Sequence, residues 1–82
     1  MNFEKVYVGV ELKVSPDGSV RPMSILWEDG AIYTVDRLRK RIPASSLKVG
    51  GIGMRYTVVI EGRERYLFEE NGRWFVERRR LN

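Results

Sequence analysis

Residues 54–77 read MRYTVVIEGRERYLFEENGRWFVE, and this stretch decides the fold. It divides into three strands joined by two tight turns. Asn71-Gly72, between Glu70 and Arg73, suits a type I′ turn, whose two central residues take positive φ and whose twist matches that of paired strands. The turn predicts Glu70 opposite Arg73, Phe68 opposite Phe75 and Leu67 opposite Val76. The earlier turn contains Gly62 and centres on Glu61-Gly62 or on Gly62-Arg63. Either two-residue loop pairs even positions before it with odd positions after it, whereas a three-residue loop would exchange the faces.

This register sorts the side chains. One face carries Met54, Tyr56, Val58, Ile60, Leu67, Trp74 and Val76, with Arg65, Glu69 and Arg78 at its margins. The other carries Arg55, Thr57, Val59, Tyr66, Phe68, Arg73 and Phe75. The first set is the more continuously apolar and reads as the core face. The second interleaves aromatics with arginines, so it is either wrapped by the rest of the chain or open to a ligand.

Upstream, Phe3 to Val14 alternates, with Val6, Val8, Val10, Leu12 and Val14 on one side, as a long half-buried strand does. Gly9 in its middle marks a bend or bulge. Ser15-Pro16-Asp17-Gly18 is a turn, and a second strand follows from Arg21 to Trp27, with Pro22 at its start or on an edge. Glu28-Asp29-Gly30 signals a hairpin into a third strand that begins at Ala31 and runs through the basic segment to Ile42, where Pro43 stops it. Residues 44–53 are irregular, and residues 78–82 are expected to fray. The chain therefore reads as one all-β domain over residues 1–82, a small antiparallel barrel of five or six strands. An SH3-like barrel is the first expectation and an OB-like barrel the alternative. Closure removes the exposed edges through which small sheets aggregate.

Composition narrows the function. With 82 residues there is room for one small core, and 43% hydrophobic content argues for a folded chain. No cysteine or histidine is present, which excludes disulfides, thiolate nucleophiles, cysteine or histidine metal sites and imidazole catalysis. The paired acids Glu28-Asp29 and Glu69-Glu70 make no acid–base dyad, because the first pair lies in a turn and strand alternation separates the second. A non-enzymatic protein without cofactor or metal is expected. No apolar run approaches a membrane span, and the amino terminus enters a strand without a signal-peptide pattern, so a cytoplasmic protein is expected.

The net charge of +4 is unevenly placed. Arg37, Arg39, Lys40 and Arg41 form one basic patch and Arg78, Arg79 and Arg80 another, while the remaining eight basic residues face 11 acidic ones. On a regular strand Arg37, Arg39 and Arg41 would project from one face about 6–7 Å apart. Such a row either binds a polyanion or is a solvated edge whose charges block aggregation. Gly50-Gly51-Ile52-Gly53, flanked by Lys48 and Arg55, is either a backbone nest for phosphate or a plain loop. Tyr66, Phe68 and Phe75 with Arg55 and Arg73 match surfaces on which single-stranded bases stack, and match equally a buried packing layer. Trp27 and Trp74 read as core residues.

The run Trp27-Glu28-Asp29-Gly30-Ala31-Ile32-Tyr33-Thr34-Val35, then Arg55-Tyr56-Thr57-Val58 and Asn71-Gly72-Arg73-Trp74-Phe75-Val76, resembles a known group. It is similar to small uncharacterised bacterial proteins and domains that occur beside or fused to Y-family translesion DNA polymerases. The resemblance covers roughly residues 21–77. It implies a DNA-associated setting and no activity; where that group carries tryptophan-rich sequence, this chain has residues 47–53 instead. Two functions are carried forward. One is a module that binds nucleic acid, or a nucleic-acid-processing partner, through Arg37, Arg39, Lys40 and Arg41, with Lys48, Arg55 and Arg73 as secondary contacts. The other is a protein-interaction or accessory domain, including a homodimer formed through an exposed strand.

Overall fold

The structure, a computed structural model, describes residues 2–45 and 52–80. Both hairpin turns of the deciding stretch are type I′. Asn71 and Gly72 have φ of 54° and 80°, and the earlier turn centres on Glu61 and Gly62, at 51° and 78°. Seven strands form, two or one more than the sequence suggests: β1 (Phe3–Val14), β2 (Val20–Leu26), β3 (Ile32–Thr34), β4 (Arg37–Ser45), β5 (Ile52–Ile60), β6 (Arg63–Glu70) and β7 (Arg73–Arg79). They make one antiparallel sheet in the order β3-β2-β1-β7-β6-β5-β4, curled into a half-barrel. Among the described residues there is no helix, and so none long and apolar enough to cross a membrane.

The extra strand comes from a break in the expected third one. Val35 N–H donates to the Met23 carbonyl of β2 at 2.9 Å, and Asp36 N–H donates to the Val59 carbonyl of β5 at 2.8 Å. Two residues thus carry the chain from one end of the sheet order to the other and hold the ends together. Val35, 4% exposed, drops into the core as it crosses. Pro43 does not stop the strand: it pairs with Met54 inside β4, which is tolerated because β4 is an edge strand that needs no N–H on its outer side. Nor do residues 78–80 fray. Phe3 pairs with Arg79, and Arg80 N–H donates to the Asn2 carbonyl at 2.8 Å, so the sheet itself ties this end down.

β1 pairs with β7 over Phe3 to Val8 and with β2 over Gly9 to Val14, so the change of partner falls at Gly9. The β1–β2 register slips between Glu11 and Leu12, where Met23 is the extra residue on β2. The buried core residues Ile25, Val35, Tyr56, Val58, Leu67 and Trp74 lie on the concave side, as the register predicts. Tyr56 and Trp74 rings sit 5.0 Å apart. Trp27 is only half-buried.

Two further turns share one chemistry. In Ser15-Pro16-Asp17-Gly18-Ser19 and Trp27-Glu28-Asp29-Gly30-Ala31, the first residue's N–H donates to the fifth residue's carbonyl at 2.9 and 2.8 Å. Each aspartate Oδ1 accepts the N–H two residues on, at 2.9 Å. Asp17 also accepts the Ser19 hydroxyl at 2.7 Å, and the Ser19 backbone N–H, then this hydroxyl, hold its carboxyl below the ordinary value. Its stabilising contribution is therefore full above its unfolded pKa and lost as pH falls through the lower folded one. Thermal unfolding of Asp17→Ala against the parent should show a deficit at pH 7 that narrows as pH falls through and below the ordinary carboxylate range; a constant deficit contradicts this.

Gly53 has a structural reason to be glycine. A Cβ there would run into the main-chain carbonyl of Glu69 in β6, which cannot swing aside. Gly53→Ala is expected to destabilise the domain by about 1–3 kcal/mol, the range for overpacking. Urea unfolding checks it, and an unchanged midpoint would contradict the close approach.

Candidate nucleic-acid interface

β4, β5, β6, β7 and β1 lie side by side, so directly paired residues share a face. One line across the convex side runs Ile42, Arg55, Phe68, Phe75 and Tyr7. A neighbouring line runs Lys40, Thr57 and Tyr66, and a third Arg37, Val59 and Glu64. The register therefore brings Arg37, Lys40, Arg55, Tyr66 and Arg73 onto one convex wall.

The basic segment is not the single row that alternation implies. The β4–β5 register slips between Leu38 and Lys40, making Arg39 a bulged residue. Val35 and Leu38 both pack on the concave side, and their three-residue spacing is incompatible with a period of two. Beyond the bulge Arg41 stands opposite Tyr56 on the concave side, and its Nε donates to the Tyr56 hydroxyl at 3.2 Å. Arg39 Nε meets Glu64 Oε2 at 3.0 Å across β5. Arg41 is thus removed from the wall, and Arg39 is partly neutralised. Lys48, and Gly50-Gly51 of the suggested phosphate nest, lie outside the described residues.

The aromatics divide into a buried pair and an exposed pair. Phe68 and Phe75, 3% and 1% exposed, stack at 5.3 Å with 9° between their planes. They serve as packing and offer bases no surface. Lys5 Nζ lies 4.6 Å from the Phe75 ring and pairs with Glu70 at 3.0 Å. Beside them stand two exposed tyrosine–arginine stacks. The Arg55 guanidinium lies 4.5 Å from the Tyr66 ring, and that of Arg73 lies 3.8 Å from Tyr7. Tyr66 is 52% and Tyr7 43% exposed. Sequence reasoning missed Tyr7, whose place next to Phe75 follows from the β1–β7 register. The predicted alternation of β1 already carries the signal, since it sets Tyr7 on the side away from Val6 and Val8.

Among the described residues, Arg37, Lys40, Arg55 and Arg73 have no acidic partner. Arg55 Nε is buried without a hydrogen-bond acceptor, so ring stacking holds this guanidinium in place of an ion pair. Two of the carboxy-terminal arginines, Arg78 and Arg80, behave differently. Arg78 joins Glu28 at 2.7 Å and Glu4 at 3.3 Å, fastening the β2–β3 turn to β7. Glu28, then Glu4, raise its pKa above the ordinary value. Among the described residues no group of three or more acidic side chains could hold a metal ion.

A second feature is a slot through the wall. The β6–β7 ladder has three pairs, from Glu70–Arg73 to Phe68–Phe75, and the expected Leu67–Val76 pair is absent. Below it residues 63–67 pair only with β5, and residues 76–79 only with β1. The strands part over a cavity of about 1030 Å³ that reaches Ile25, Val58, Leu67 and Val76.

No family model, no curated protein and no solved structure matches this chain.

Proposed function

We propose that the chain is a non-enzymatic, SH3-like small-barrel module that binds single-stranded nucleic acid on its convex wall. One observation carries the reading: four cations without acidic partners share a face with two exposed tyrosine–arginine stacks. Arg37, Lys40, Arg55 and Arg73 neutralise phosphates, while Tyr66 and Tyr7 offer ring faces to bases without regard to sequence. Arg39 contributes when a phosphate displaces Glu64, an exposed ion pair that gives up little on opening. The resemblance to domains beside translesion polymerases points to the same DNA-associated setting.

The test is a titration of labelled single-stranded and double-stranded oligonucleotides at 50 and 200 mM salt. Binding at low salt in the range of about 1–100 μM, weakening steeply as salt rises, is expected for a surface of this charge. Binding weaker than about 100 μM at low salt overturns the reading.

A second reading has its own observation. Leu26 and Ile32, a cross-strand pair on the β2–β3 hairpin, are 47% and 69% exposed. Such a pair suits contact with a protein partner or a second copy of this chain. Salt-insensitive self-association in sizing experiments favours it over the polyanion reading.

A further inference from the structure

β1 stands between β2 and β7 in the sheet order, yet its residues 9–14 pair with β2 alone. Among the described residues no strand lies along their other edge, because the ladder with β7 ends at Val8 and Trp74. The bulge of the β1–β2 hairpin falls on β2, so β1 itself alternates without a break. Val10, Leu12 and Val14 lie on the concave side, Glu11 and Lys13 on the convex side. Leu12 and Val14 are 40% and 64% exposed. An open edge of this kind is a template for strand pairing. The two outermost strands are poorer templates: β3 has three residues, and β4 carries Pro43 and the basic segment.

This edge is complementary to itself. When two copies are laid antiparallel about a two-fold axis at Leu12, Val10 meets the partner's Val14, Leu12 meets the partner's Leu12, and Glu11 meets the partner's Lys13. Apolar side chains then face one another on the concave side, and opposite charges pair on the convex side. Moving the axis to Glu11 or Lys13 keeps the faces but sets like charges directly opposite, so the charges select one register. Room for the contact is present. A crevice of about 380 Å³ opens between this edge and the Asn71-Gly72 turn, with Val8, Val10, Leu12 and Trp74 among its walls. The partner's Val14, opposite Val10, falls at this crevice, and the two-fold axis repeats the fit. We infer that the chain forms a symmetric homodimer through residues 10–14 of β1, which joins two sheets edge to edge. Tyr7 and Arg73 border the crevice from the convex side, and the ladder takes no contact from either. The inference rests on neither functional reading, since it uses no phosphate-binding cation and not the Leu26–Ile32 pair.

The test mixes isotopically labelled and unlabelled full chain at about 1 mM, a concentration suited to a weak, single-strand interface, and records methyl contacts between the two. Val10 and Val14 lie about 13 Å apart along one strand, so a contact between their methyl groups reports a second copy. That contact is expected, with amide-exchange protection over residues 10–14 that grows with protein concentration. Lys13→Glu alone, or Glu11→Lys alone, sets like charges opposite and should weaken the dimer at least about tenfold, or about 1.4 kcal/mol. The two changes together restore opposite charges and should return the affinity to within about threefold of the parent. Both positions are exposed, and an unchanged melting temperature shows the fold intact. A chain that stays monomeric at about 1 mM, a dimer without the Val10–Val14 contact, or a double variant as weak as the single ones each overturns the inference. A dimer indifferent to both single changes but lost on Leu26→Ser with Ile32→Ser overturns it in favour of the hairpin surface.

Discussion

Replacing Phe75 by alanine is expected to destabilise the domain by about 3–5 kcal/mol, the range for truncating a buried phenylalanine. Its ring is 1% exposed, stacked on Phe68 and met edge-on by Tyr7 at 5.7 Å. The loss would consume a large share of the roughly 4–12 kcal/mol that holds together a domain of this size. Tyr66→Ala, on the same wall but 52% exposed, should change stability by less than about 1 kcal/mol while weakening oligonucleotide binding by about 1–3 kcal/mol. Urea unfolding followed by tryptophan fluorescence separates the two. A Phe75→Ala protein as stable as its parent would mean that the convex aromatics are not a packed layer.

The second large effect concerns salt. With Arg37, Lys40, Arg55 and Arg73 all engaged on a single strand, the logarithm of the binding constant should fall with that of salt concentration at a slope of about −3. Affinity then drops roughly fiftyfold between 50 and 200 mM salt. Changing all four residues to glutamine should leave at most the slope of about −0.7 that Arg39 can supply, and each single change should flatten it by about 0.7. The parent slope persisting in the fourfold variant would move the phosphate contacts to other cations, Arg63, Arg65 and Arg79 first among them.

Much of the fold was legible because it is written locally. Asn71-Gly72 and the glycine at position 62 set two turns, and period-two alternation then sorted Tyr56, Val58, Leu67 and Trp74 to one side. The features that escaped are those decided by distant partners. Val35 and Leu38 both bury on the concave side, which forces a break after β3 and a bulge at Arg39; neither residue announces this. Pro43 reads as a stop until β4 is known to be an edge, and residues 78–80 read as a loose end until β1 is known to lie beside them.

The candidate site was legible in part for the same reason. Arg55, Tyr66 and Arg73 were placed correctly by the hairpins, since their register depends only on turns a few residues away. Arg41 was misplaced because a single inserted residue reverses every side chain beyond it. Phe68 and Phe75 could not be assigned to packing or to ligand from the strand pattern, because covering groups such as Lys5, over 60 residues away, enter through β1.

Amide and side-chain shift mapping of the labelled protein, titrated with a short single-stranded oligonucleotide at low salt, tests the convex wall most directly. The largest changes are predicted at Arg37, Lys40, Arg55, Tyr66, Arg73 and Tyr7, with Arg41 and Leu67, on the concave side, unmoved. Changes confined to the slot or to the Leu26–Ile32 hairpin, with the tyrosine–arginine stacks undisturbed, would contradict it.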